Sequence, residues 1–126
     1  MTEKRKYVID GAKFDDFSGF IAEFNRMYVI KVGGLWNGNL DAFNDYLAWD
    51  TSYVLKWRNS EKSRHDLGHK EMAIWLEGNL TTCHPLNQAS VRQRLQKANR
   101  KEGQTMFGFI VEIILGNSDW VDLRLD

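Results

Sequence analysis

The sequence predicts an α/β domain with a mainly parallel, three-stranded sheet flanked by helices, on three observations. Segments rich in β-branched and aromatic residues alternate with segments of helical periodicity, and strands separated by helices pair in parallel. The run Phe107–Leu115 is almost continuously apolar, the pattern of a strand covered on both faces. The chain has 126 residues, 43% hydrophobic and 13% aromatic, which suits a single domain over residues 1–126.

Taken in order, Tyr7-Val8-Ile9 is a short strand with a turn signal, Asp10-Gly11, behind it. Phe14, Phe17, Phe20, Ile21, Phe24 and Tyr28 recur at helical spacing and predict an amphipathic helix over residues 14–28. Gly19 weakens it by about 1 kcal/mol relative to alanine. The apolar run Val29–Val32 leads through Gly33-Gly34 into a loop. Asn39 is placed to cap a helix from Leu40 to about Trp49, which Asp50-Thr51-Ser52 breaks. Tyr53–Trp57 has the composition of a second strand. Asn59 or Ser60 opens a short helix that stops near Leu67-Gly68, with glycine in the left-handed stop position. Residues 70–89 show no clean period. Ser90–Lys101 reads as a helix with Val91, Leu95 and Ala98 on one face and Gly103 at its stop. Phe107–Leu115 is then the third strand. In the C-terminal extension 116–126, Val121, Leu123 and Leu125 alternate with Asp122 and Arg124, predicting an additional edge strand.

The 17 basic and 17 acidic residues cancel, so an electrostatic partner must read a local patch. A single cysteine, Cys83, excludes an internal disulfide and fits a reducing compartment. Met1-Thr2-Glu3-Lys4-Arg5-Lys6 is charged with no apolar run of signal length behind it, and no stretch approaches the roughly 18 apolar residues of a membrane span. These features predict a cytoplasmic protein with no membrane partner.

The informative segment is Gly33–Trp49. At about 100° per residue, Leu40, Phe43 and Leu47 form a narrow buried stripe. Asp41 and Asp45 fall together on the other side, with Ala48 and Trp49. Like charges four apart destabilise a helix by roughly 0.2–0.5 kcal/mol. No Lys or Arg lies between Lys31 and Lys56, so Asp41, Asp45 and Asp50 have no counter-charge nearby in sequence. Asp41 has a structural reason in the helix dipole, since it sits in the first turn. Asp45 lies beyond that turn, and the pair points to a surface made for a cationic partner.

With this helix in place, the order of segments resembles the barstar family of ribonuclease inhibitors. The matching residues are Tyr7-Val8-Ile9-Asp10-Gly11, Asn39-Leu40-Asp41-Ala42 with Asp45, Leu55-x-Trp57-Arg58, and a closing Ile110-Val111-Glu112-Ile113-Ile114 strand. The similarity covers residues 6–68 and 107–115, leaving 70–104 divergent. It implies a barstar-like fold and an immunity protein that catalyses nothing and needs no cofactor or metal. In that family the loop and second helix enter the active site of a basic nuclease, and helix aspartates take the place of substrate phosphates. Carried onto this chain, those groups are Asp41 and Asp45, with Asp45 the main anchor. Leu35, Trp36, Asn37, Asn39 and Asn44 complete the implied partner-binding surface. Trp36 is the tryptophan expected to face the partner, and Trp57 and Trp75 are expected in the core. The chain departs from the best-known barstars in having Leu35 for a loop tyrosine and Asn44 for a helix tryptophan. Gln96–Lys101 is basic where the family places a later acidic contact. The class of target, ribonuclease or another toxin, is therefore open.

Other chemistries have weaker signals. His65 and His69 are one turn apart, but Gly68 between them ends the helix, and no His-Glu-x-x-His or second cysteine supports a metal site. Cys83-His84 adjacency does not make a nucleophile. The glycines at 33, 34 and 38 precede a helix, yet no Gly-Lys-Ser/Thr follows and Asp41 would repel a phosphate. The stronger alternative is a small nucleic-acid-binding module using the basic helix 90–101, with Arg92, Arg94, Lys97, Arg100 and Lys101. The acidic helix and zero net charge weigh against it, and no direct nucleic-acid contact is expected.

Overall fold

A computed structural model describes residues 4–126. Met1-Thr2-Glu3, part of the charged N-terminal segment read above, lies outside the described residues. Three strands, β1 (Arg5–Asp10), β2 (Tyr53–Arg58) and β3 (Val121–Leu125), form a parallel sheet in the order β1-β2-β3. The register pairs Tyr7 with Leu55 and Leu55 with Leu123. Between β1 and β2 run α1 (Phe17–Phe24), a π-helical turn (Asn25–Val29), a 3-10 turn (Ile30–Val32) and α2 (Leu40–Leu47). Between β2 and β3 run α3 (Ser60–Asp66), α4 (His69–Leu80), α5 (Gln88–Asn99) and α6 (Met106–Leu115). The fold is thus the α/β architecture expected.

Strand alternation decides where the core lies. Tyr7, Ile9, Tyr53, Leu55, Trp57 and Val121 point into one continuous cluster with Phe20, Phe24, Phe43, Leu47, Phe107 and Ile110. Lys6, Lys56, Arg58 and Arg124 point to the opposite face and are exposed or half-buried. The sheet is therefore covered on one face, unlike most parallel sheets.

The main correction concerns the third strand. Phe107–Leu115 is helical: Thr105 caps α6 by accepting a hydrogen bond from the Gly108 N–H at 3.0 Å. Met106, Phe107, Ile110 and Ile114 are buried at helical spacing. A helix enclosed on most sides is apolar nearly all round, and a continuous apolar run cannot distinguish it from a doubly covered strand. The third strand is instead Val121–Leu125, so the C-terminal segment is integral to the sheet and adds no fourth strand. The Ile110–Ile114 segment, read above as the closing strand, therefore belongs to a helix.

Smaller corrections follow local geometry. Helix α1 begins at Phe17, because the Asp16 carboxylate caps it through the Gly19 N–H at 2.8 Å. Gly68 is not a left-handed stop: its φ is −87°, and it precedes the first residue of α4. The left-handed residue near α3 is Asn59, at its start, with φ 55°. Its amide donates to Asp10 Oδ1 across the chain at 2.8 Å. In the stretch without a legible period, α4 buries Met72, Ala73 and Leu76 while leaving Ile74 half-exposed.

Candidate functional site

Helix α2 is held at both ends. At its start, the Asn39 side chain accepts from the Ala42 N–H at 2.9 Å, and Asn37 Oδ1 accepts from the Asn39 N–H at 3.1 Å. Two glycines shape the approach. Gly33 closes the preceding turn at φ 96°, and a Cβ on Gly34 would overlap the Tyr46 ring. At the far end, two tyrosines from the core donate to carbonyls of the last helical turn, where Tyr46 O also accepts from the Trp49 N–H at 3.0 Å. Tyr28 Oη donates to Tyr46 O and Tyr53 Oη to Leu47 O, each at 2.6 Å.

Tyr28 Oη also accepts from the N–H of Asp50, at 3.3 Å, a residue only 9% exposed. Its carboxylate accepts from Tyr7 Oη at 2.6 Å and the Thr51 N–H at 2.8 Å, and pairs with Arg5 at 3.3 Å. Burial pushes the Asp50 carboxyl up, but the Tyr7 hydroxyl, the Thr51 amide and Arg5 together outweigh it and hold the group below its ordinary range. Burial and the neighbouring Asp50 push Tyr7 up to about 12. Of the three aspartates without a cation nearby in sequence, Asp50 thus finds one through the fold and is structural.

Asp41 and Asp45 have a different setting. Both are exposed, and among the described residues neither carboxylate has an ion-pair or hydrogen-bond partner. The structure brings them together on one face of α2, as their spacing required.

Trp36 does not face a partner. It is 2% exposed, and its ring packs among Phe17, Phe20, Phe24 and Phe43, with centroids 5.0–6.1 Å away. Its Nε1–H donates to Asn39 O at 2.7 Å. Asn25 holds its backbone from both sides, accepting from the Trp36 N–H at 2.7 Å and donating to its carbonyl at 2.8 Å. A glycine-rich loop therefore does not imply an exposed aromatic; here the ring pins the loop to the core. Leu35 is the loop residue left outside, 75% exposed. Of the remaining expected contacts, Asn37 is exposed and Asn39 spends its side-chain oxygen on the helix cap. Asn44 Oδ1 accepts from Asn117 Nδ2 at 2.8 Å, joining α2 to the turn after α6.

The aromatic contribution comes from Trp49, which its helical position placed beside the aspartates, and from Tyr46, which the sequence reading did not assign to the surface. Tyr46 and Trp49 pack with ring centroids 4.6 Å apart and planes tilted by 58°, and Trp49 is 53% exposed. Tyr46 Oη donates to Leu35 O at 3.1 Å. Their i,i+3 spacing was the available signal, with Gly34 leaving room for the Tyr46 ring. Leu35, Tyr46 and Trp49 make an apolar rim on one side of the aspartates. On the other side, a shallow groove of about 470 Å³ runs between α2 and α6, lined by Asp41, Asn44, Asp45, Phe109 and Ile113. Beyond it, the Arg94 guanidinium lies over the Trp75 and Phe109 rings, 5.7 and 5.4 Å from their centroids. Trp57 is fully buried, as expected, whereas Trp75 is half-buried.

The rival sites fare as follows. His65 and His69 lie on separate helices, and His69 Nε2 is 2.9 Å from Gly103 O. Among the described residues no group of three His, Cys, Asp or Glu side chains could hold a metal ion. The cations of the 90–101 segment are divided: Arg94 covers aromatic rings and Arg100 pairs with Glu102 at 3.4 Å. No helix of the described residues is long and apolar enough to cross a membrane.

No protein-family model matches the chain, and no curated protein matches it.

Proposed function

We propose that this protein is an inhibitor that binds the active site of a basic nuclease, a ribonuclease or related toxin, through the acidic face of α2. The observation that carries this reading is the pair Asp41 and Asp45, exposed and unpartnered on a helix fixed at both ends. A carboxylate brought against several cations forms short, charge-assisted hydrogen bonds, and a helix that need not reorganise loses less conformational entropy on binding. The Leu35–Tyr46–Trp49 rim supplies apolar and aromatic area beside the charges, the composition of an interface centre. The role requires no catalytic group of its own. The resemblance of Asn39-Leu40-Asp41-Ala42 and Asp45 to the barstar pattern supports the same reading, as does the three-stranded parallel sheet.

The test is affinity capture from the source cells with wild-type and Asp41→Ala/Asp45→Ala baits in parallel, followed by a nuclease-inhibition titration of what is retained. Retention of a basic nuclease by the wild type alone, inhibited at one equivalent, is the expected result. Equal retention of the same partner by both baits places the binding face elsewhere.

A further inference from the structure

We infer that the free edge of β3 is a self-association surface, and that two copies join through antiparallel β3 strands into one six-stranded sheet. This goes beyond the inhibitor reading and does not depend on it. β3 lies at the margin of the sheet, and its backbone phase is fixed by two bonds. Tyr53 N–H donates to Trp120 O, and Asp126 N–H donates to Trp57 O, both at 2.9 Å. In a parallel ladder alternate residues face the neighbour, so Asp122 and Arg124 turn their amides and carbonyls toward β2. Leu123 and Leu125 turn theirs outward, where no described element receives them. The strand is held at its end as well, since Ser60 donates to Asp126 O through both its N–H and its hydroxyl, at 2.9 and 3.0 Å. A fixed strand with open amides is a template for another strand.

The side chains choose the occupant. Antiparallel pairing about a two-fold axis at Leu123 sets Asp122 of each copy directly opposite Arg124 of the other. It exchanges both hydrogen bonds of the Leu123 pair and brings each Leu125 N–H to the Val121 carbonyl of the second copy. Asp122 and Arg124 occupy the non-hydrogen-bonded positions, where opposite side chains come closest. Both remain accessible, at 39% and 63% exposure, although they already touch within one strand at 3.0 Å. Moving the register by one hydrogen-bonded step in either direction places Asp122 against Asp122 or Arg124 against Arg124. Of these two-fold registers only the one centred on Leu123 is attractive, and such an isologous contact closes at two copies. The other margin of the sheet is guarded. The Asp10 N–H is already taken by Glu23 Oε2 at 2.9 Å, and Lys4 just before β1 and Arg5 and Lys6 within it stand exposed.

The test is sedimentation equilibrium of the full chain from about 1 μM to about 1 mM at low salt. Asp122→Arg, Arg124→Asp and the double exchange Asp122→Arg/Arg124→Asp run beside the wild type, and circular dichroism monitors folding. The expected result is a reversible shift from 14.7 kDa to twice that mass in the wild type. Each single variant weakens association about tenfold or more, and the double exchange restores it. If one single variant fails to fold, the other and the double exchange still decide. A wild type that stays monomeric, single variants that associate as well as it does, a folded double exchange that stays apart, or growth past two copies would each overturn the inference.

Discussion

Replacing Trp36 with alanine removes an indole that is 2% exposed and lies among four phenylalanine rings. It also removes the Nε1–H donor that holds Asn39 O at 2.7 Å. Truncations of buried aromatics cost about 3–5 kcal/mol, because the lost transfer free energy is joined by the cavity left behind. Against a total stability of about 5–15 kcal/mol for a domain, that is a large share. Trp36→Phe keeps most of the ring and loses the donor. Since the Asn39 carbonyl still accepts from the Phe43 N–H at 3.0 Å and is not left unsatisfied, this variant loses about 1–2 kcal/mol. The assay is urea unfolding followed by far-UV circular dichroism, with Leu35→Ala as the control. Leu35 is 75% exposed, and its truncation changes stability by no more than about 0.5 kcal/mol. If Trp36→Ala cost under about 1 kcal/mol, with an unchanged denaturant slope, the ring would not be the anchor described.

Three further outcomes follow from the same geometry. Gly34→Ala drives a Cβ into the Tyr46 ring and displaces Tyr46 from Leu35 O, so partner affinity falls while urea unfolding shows a loss of about 1–3 kcal/mol. Thr105→Ala removes the cap of α6 and costs about 0.5–2 kcal/mol by denaturant unfolding, a loss a strand at 107–115 would not show. Asp50 has a folded-state pKa below its unfolded one. Its contribution is therefore complete above the unfolded carboxylate value of about 4 and is lost as pH falls through the lower folded value. Asp50→Asn should flatten that acid limb in melting temperatures measured across pH, and an unchanged limb would remove Asp50 from its origin.

Where local chemistry decides structure, the sequence was legible. The Asn39 cap, the Leu40–Phe43–Leu47 stripe and the strand at Tyr53–Trp57 each appear where their residues place them. The spacing of Asp41 and Asp45 was enough to bring them to one face. What escaped depends on the tertiary surroundings. Phe107–Leu115 carries a run compatible with either a buried helix or a buried strand, and only the capping Thr105 spoke for the helix. Trp36 looked exposed because glycines surround it, but its ring is drawn inward by the Phe20–Phe24–Phe43 cluster and by Asn25, eleven residues earlier. Asp50 looked unpaired because its cation, Arg5, comes from β1, 45 residues away. The packing of Tyr46 against Trp49 was hidden because the space for the Tyr46 ring is made by the absence of a side chain at Gly34.

The most direct test of the α2 face is to compare affinity for the captured nuclease and urea-unfolding stability in Asp45→Ala and the wild type. Removing one of two like charges four residues apart leaves folding unchanged or stabilised by about 0.2–0.5 kcal/mol. Binding should weaken by about 30-fold or more, the scale of an interface hot spot. Unchanged affinity, or a loss of binding matched by an equal loss of stability, would contradict the role given to Asp45.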